Sequence, residues 1–470
     1  MPRPLLALLA VAAIQAVTWA ILVPPLQGPD EMAHVGYTQK LVEDRSIPWH
    51  PSGGGGPERV STEARVALGW GGVEALRANP PARPPGSQVA VREWERHSAN
   101  YGRAQRRDGG TTTAMTNPPL YYVYDAVPYV AFVHAGFFDR ALAMRLWNLP
   151  LVLAFVALTW LLTGELFARR RWAQTLATGA VALQPQVVQE GAVVGPDILL
   201  AGIWTGFLYL AVVTLRRGPT RPRLAGLIAL AALSCLTHAR GVSIIAPLAL
   251  VLALCWWRAR RPSWGRSQWA TVGLGALVVA AALVYAALRY TTGGVVTATT
   301  TRQFLSYLWQ FYLPALPGMH TPPGPAWDVR DVFVNRLWSG FVQLEVSFAP
   351  GVLDAIAWIT VVVAALALAR LVARRRDVPW DVVAVVALAG IAYLVQLHLS
   401  GFKSVFGGSG DPVLTGRYLI TLTSLFGAAL VLAVSWLPRP AARVVGGGVL
   451  ATLGVLELAV FGLVLERFYA

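Results

Sequence analysis

Charge is scarce in this chain, and one kind of cation is nearly absent. Only 13% of its 470 residues are Asp, Glu, Lys or Arg, where a soluble domain carries about 25%; a purely soluble protein is thereby disfavoured. Of 39 basic residues only Lys40 and Lys403 are lysine. That Arg bias, with abundant Ala and Gly, reflects a GC-rich coding sequence more simply than a mechanism. Cysteine is limited to Cys235 and Cys255, both inside apolar runs, so neither a disulfide framework nor a zinc site can be built from them. There is no Gly-rich phosphate loop and no strand–turn–helix unit for a dinucleotide.

What the chain has is apolar residues, 55% of the total. The runs able to span a bilayer are Leu5–Val23, Ala143–Ala168, Trp172–Val188, Ile198–Leu215, Leu224–Thr237, Val242–Trp257, Trp269–Leu288, Val352–Val372, Val382–Leu399, Val413–Trp436 and Val444–Leu465. The expected fold is an all-α polytopic membrane protein of about eleven transmembrane helices (range about 10–13). Pro24-Pro25 after the first run argues against a cleavage site, so that run is read as an uncleaved first helix.

The Arg-rich connections Arg169-Arg170-Arg171, Arg216 to Arg223, Arg258 to Arg266, Arg370 to Arg376 and Arg439 to Arg443 all fall on one side with eleven spans. The positive-inside rule makes that side cytoplasmic. A further stretch, Leu120–Phe137, holds Asp125, Pro128 and His134, which are costly in lipid. Were it to span, every later basic connection would move outside; it is expected to be a re-entrant or interfacial hairpin on the outer side. The net charge of +15 is thus mainly a lipid-surface feature, and no nucleic-acid partner is expected.

Cytoplasmic connections are short, which leaves chemistry on cytosolic nucleotides no place to sit. The outer side carries loop 24–119, loop 289–351 and the shorter loop 400–412. Long loops with helices of their own usually carry function. Three segments follow: 1–288 with the first loop, 289–351 with an aromatic interfacial helix, and 352–470 with the last outer loop.

The first loop opens Pro29-Asp30-Glu31-Met32-Ala33-His34. Asp30 suits the N-cap of a helix running to about Glu43, and Asp30 and His34 share a face. The plain reading is a capped helix on the membrane; the sharper one is a carboxylate placed as general base, Asp30 or Glu31. A second acid cluster, Gln189-Glu190-Gly191 to Asp197, joins two helices outside, with Asp197 able to cap the next. His238 and Arg240 occupy a tight outer turn. Lys403, Arg417 and Tyr418 flank the last outer loop. Snorkelling explains each cation singly; together they can bind a lipid phosphate. The aromatic run Arg302 to Leu313 reads mainly as an interfacial anchor, with stacking of some aromatics against a sugar as the alternative.

These motifs in this order resemble the GT-C superfamily of integral membrane glycosyltransferases. The acidic first loop is followed by Asn117-Pro118-Pro119-Leu120-Tyr121-Tyr122, then Asp197, then His238-Ala239-Arg240-Gly241. Through Tyr307-Leu308-Trp309-Gln310-Phe311-Tyr312-Leu313-Pro314 and Gly416-Arg417-Tyr418 the chain is similar to an uncharacterised bacterial membrane family within it. The resemblance implies a GT-C-like bundle in the cytoplasmic membrane. It implies a polyprenyl-phosphate-linked sugar as donor, and inverting transfer on the outer face to a hydroxyl of a glycan, lipid or protein acceptor. It gives catalysis to Asp30 or Glu31 and substrate binding to His34, Asp197, His238, Arg240, Lys403, Arg417 and Tyr418. Where several relatives carry Lys in the turn, this chain has Arg240 or His238. No Asp-x-Asp pair is present, so no metal or other cofactor is assigned, and divalent-metal dependence stays open. Two other classes fit the same sequence: a transporter or flippase of lipid-linked sugars, and a non-catalytic envelope-assembly protein.

Overall fold

Backbone polar groups in lipid must be satisfied within the chain, so long apolar runs fold as helices. The computed structural model describes residues 1–48, 59–72, 88–98, 101–258, 265–290, 298–319, 328–406 and 414–470. The side chain of Lys403 lies outside these residues. Among the described residues the only strand-like pairing is an isolated bridge between Phe341 and Val346.

Among the described residues eight helices are long and apolar enough to cross a membrane: Arg3–Leu22, Phe137–Leu166, Asp197–Arg217, Ala239–Arg258, Pro350–Ala373, Trp380–Phe402, Gly416–Val434 and Arg439–Phe468. The other three expected spans take different forms. The run 172–188 is broken into Arg171–Ala182 and Pro185–Gly191, with Pro185 opening the second piece. The run 224–237 lies in a 17-residue helix, Arg221–Thr237. The run 269–288 lies in Arg266–Tyr290, whose apolar stretch is Trp269–Ala281. Eight of the eleven expected runs thus lie in helices that meet the length and composition of a span among the described residues, and the other three lie in shorter or interrupted helices.

Leu120–Ala131 is a helix of 12 residues, about 18 Å long at 1.5 Å per residue. That is short of a hydrocarbon core of about 30 Å. It lies against the first-loop helix Glu31–Asp44 instead. Tyr37 and Tyr122 stack with ring centroids 3.6 Å apart, and Thr38 donates to buried Asp125 at 3.0 Å. Arg140 and Glu63 form a second buried tie at 2.5 Å.

The bundle has two chemically distinct ends. Arg170, Arg216, Arg370, Arg374 and Arg439, from four separate connections, surround one cavity. Arg258, from the fifth, pairs with Asp381 at 2.6 Å and donates to the Leu215 carbonyl at 2.8 Å. All five Arg-rich connections thus share one end. Asp197 and Arg417 stand at the opposite ends of the same helices.

Candidate active site

The site begins with a backbone anomaly. Asp30 precedes the first-loop helix with φ 54° and ψ 11°, in the left-handed region, and its side chain makes no capping hydrogen bond. Asp tolerates this region better than most residues, but the conformation still costs energy. Its effect is to turn the carboxylate away from the helix end and toward Arg417, with which it forms an ion pair. The Asp30 side chain is 55% exposed, so the carboxylate remains reachable. Desolvation raises its pKa, but the Arg417 guanidinium and then His34 outweigh this and hold it below the ordinary carboxylate value.

Glu31, the next residue, is fully buried and fully engaged. Arg145 donates to it through Nε and Nη2, both at 2.6 Å, and the amides of Gly28 and Val194 donate at 3.1 and 3.2 Å. Arg145 spends its remaining donors on the carbonyls of Ala20, Val23 and Pro24. This cluster ties the first helix to the first-loop helix.

His34 lies one turn beyond Asp30 and shares a 2.8 Å hydrogen bond with the Tyr122 hydroxyl, which also accepts from Asn117 at 3.1 Å. Burial lowers the His34 pKa despite Asp30 and Asp197, so the ring is neutral near pH 7. Tyr121 accepts from the Gly195 amide at 2.9 Å and bonds Asn148. The Pro-Pro-Leu-Tyr-Tyr element thereby fixes both the first-loop helix and the turn before Asp197.

Asp197 is the first residue of its helix; Pro196 holds the N-cap position. The carboxylate pairs with Arg240 at 2.5 Å. His238 accepts through Nδ1 from the Arg240 backbone amide at 3.2 Å and from Nε at 3.3 Å, and so aims the guanidinium. Burial, reinforced by Arg240, drives the His238 pKa well below its ordinary value. Gly241 completes this turn because a Cβ there would lie 2.0 Å from the Ser234 carbonyl oxygen.

Tyr418 joins the two halves. Arg240 lies over its ring at 3.9 Å from the centroid and Arg417 at 5.2 Å. Such cation–π contacts hold like charges near one another without a carboxylate between them. Arg417 Nε is buried and lacks a hydrogen-bond partner. Gly416 lets this segment approach residues 333–337, since a Cβ would meet the Phe333 oxygen at 2.3 Å and the Leu337 nitrogen at 2.4 Å.

Asp30, His34, Asp197, His238, Arg240, Arg417 and Tyr418 are therefore one network across four segments, with Glu31 beneath it. Lys403 sits in the helix Trp380–Phe406, its side chain outside the described residues. Two participants, Tyr393 and Arg145, escaped the sequence reading, and Glu190 was named there only as part of the second acid cluster, without a role. Glu190 is buried, accepts from Gln186 at 3.0 Å, and feels Arg417, Asp197 and Asp30 electrostatically. Burial pushes its carboxyl up to about 8 although Arg417 works against this. Tyr393 accepts from Arg240 at 3.4 Å. Arg145 was hidden in an expected span, where its cost in lipid was the available signal. Among the described residues no group of three or more His, Cys, Asp and Glu side chains is arranged to hold a metal ion.

The family described as "Predicted membrane protein (DUF2142)" matches residues 14–426. No curated protein matches. Among solved structures, the chain is similar to ArnT from Cupriavidus metallidurans bound to undecaprenyl phosphate. Identity is 15% and the TM-score 0.48, over 95% of this chain and 64% of that one. It is similar also to the oligosaccharyltransferase AglB from Archaeoglobus fulgidus in complex with an inhibitory peptide and a dolichol-phosphate. Here identity is 13% and the TM-score 0.49, over 99% of this chain and 56% of that one. The chain thus spans less than two thirds of the length of these neighbours.

Proposed function

Given that the chain belongs to the DUF2142 family of membrane proteins, we propose that it is a GT-C-type glycosyltransferase of the cytoplasmic membrane. It takes a polyprenyl-phosphate-linked sugar as donor and transfers the sugar to an acceptor hydroxyl on the outer face, with inversion. The observation that carries this reading is the Asp30–Arg417 pair: a reachable carboxylate, freed from helix capping, against a guanidinium with an unused donor.

The resting pair gives Asp30 a depressed pKa, which makes it a poor base. A phosphate is a better match for the guanidinium fork than a single carboxylate oxygen. When the donor phosphate takes Arg417, Asp30 loses its strongest cation and its basicity rises. Asp30 then accepts the acceptor hydroxyl proton as the oxygen attacks the anomeric carbon. The bond from that carbon to the phosphate oxygen breaks, and polyprenyl phosphate leaves with its charge facing Arg417 and Arg240. Burial disfavours the charged form of Glu190, which reduces its repulsion toward the departing anion. Glu31 has no free acceptor geometry for this task, so it serves as the base only if its ties to Arg145 are broken. Base assistance is worth about 10²–10⁴ in rate, and positioning with phosphate stabilisation supplies more.

The purified protein incubated with a radiolabelled short-chain polyprenyl-phosphate sugar tests the class. Transfer to a hydroxylic acceptor with release of polyprenyl phosphate supports it. Flipping of the intact donor across vesicles without sugar release would instead make the protein a transporter.

A further inference from the structure

The Arg-rich end of the bundle holds a cavity of about 750 Å³, well within the range of ligand pockets. Its charged lining is lopsided: Arg170, Arg216, Arg370, Arg374 and Arg439 against Asp377 alone. Asp377 is taken up by Arg374 at 3.5 Å. Arg370 donates to the Ser435 hydroxyl at 3.1 Å and its carbonyl at 2.9 Å. Arg170 and Arg439 have no ion pair among the described residues. Below these cations the walls are apolar, with Val382, Val386 and Leu425 among them, and Trp172 stands in the lining. Arg370 lies over the Trp436 ring at 5.0 Å. Tryptophan marks the depth of the membrane–water boundary. A cavity with a cationic rim at that depth and an apolar floor suits a molecule with an anionic head and a hydrocarbon tail. It is separated from the Asp30 network by the full length of the Asp197–Arg217 helix, 21 residues or about 30 Å.

We propose that this cavity is a binding site for an anionic glycerophospholipid, its phosphate held by Arg170 and Arg439 and one acyl chain lying among the apolar walls. Basic pockets between membrane helices on the cytoplasmic side bind such headgroups through charge-assisted hydrogen bonds. The inference rests on the multi-pass bundle and is independent of glycosyl transfer.

Delipidated full-length protein, titrated with dioctanoyl phosphatidylglycerol or dioctanoyl phosphatidylcholine and followed by thermal shift, tests the site. Phosphatidylglycerol is expected to bind at least about tenfold more tightly, a difference of about 1.4 kcal/mol. Arg170→Gln with Arg439→Gln should erase that preference, and both side chains are exposed, so folding should survive. Ala429→Phe, which fills the cavity without changing charge, should weaken both lipids. Arg417→Ala, at the far end, should keep the preference. Equal binding of the two lipids, or a preference that survives the double substitution or vanishes in Arg417→Ala, would overturn the proposal. Farnesyl phosphate binding more tightly than phosphatidylglycerol, with the same dependence on Arg170 and Arg439, would assign the cavity to a polyprenyl phosphate and also overturn it.

Discussion

Asp30 and Glu31 are neighbours in the chain and differ in everything their environments impose. Glu31 is a buried anion whose removal strands the buried Arg145 cation. Glu31→Gln should therefore cost about 3–5 kcal/mol of stability, read as a large fall in melting temperature before activity is considered. Asp30 is half exposed and contributes a strained backbone, so its substitution should leave folding intact. Arg417 links the two questions of charge and rate. In the unliganded protein it depresses Asp30, and the kcat/KM of the proposed transfer reports the groups of that unliganded state. Arg417→Gln should move the acid limb of the kcat/KM profile to higher pH while lowering its plateau. An unmoved limb would mean that the titrating base is not Asp30. Asp125 offers a stability test apart from the site. Burial raises its carboxyl to about 8, with the Thr38 hydrogen bond opposing; unfolded, it titrates near about 4. The folded state holds this proton more tightly, so Asp125's contribution is full below about pH 4 and is lost as pH rises toward about 8. Asp125→Asn should remove that component of the pH dependence, checked by thermal melts across the window.

At the scale of elements, two glycines set where the cations stand. Gly416 and Gly241 each bring a short 3-10 helix against backbone that a Cβ would strike. Gly416→Ala should destabilise the protein by about 1–3 kcal/mol. Because it displaces Arg417, transfer measured well below the melting temperature should fall much further than the unfolded fraction explains. The elements also show where sequence reading succeeds and stops. Helices from apolar runs, and the clustering of Arg connections at one end, were legible because burial period and charge are local properties. The break at Gln184–Pro185 was signalled by proline, yet the run around it was apolar enough to read as continuous. The left-handed turn at Asp30 was not legible: Asp at a helix start normally caps, and what prevents it here is Arg417, 387 residues away. Of the two readings open for Asp197, cap or site residue, the cap fails because Pro196 holds that position, and its ion-pair partner Arg240 lies 43 residues on. Pairings at such separations are set by how helices pack, which a single sequence does not display.

At the scale of the whole molecule, the Arg-rich end and the Asp30 end must face opposite compartments if the bundle lies in a bilayer as its charges direct. Cysteines introduced at Ala104 and at Arg171, both exposed, should label from opposite sides of sealed spheroplasts with an impermeant maleimide; the native Cys235 and Cys255 are buried. Labelling of both from one side would break the sidedness on which an outer-face reaction depends.

The most direct test of the central claim is sugar transfer by the Asp30→Asn protein reconstituted in vesicles with a polyprenyl-phosphate sugar. The substitution keeps the shape of the side chain and removes its ability to take a proton. Transfer should fall by about 10²–10⁴, with the melting temperature and phosphate binding preserved. Transfer at the wild-type rate by folded Asp30→Asn would contradict the account.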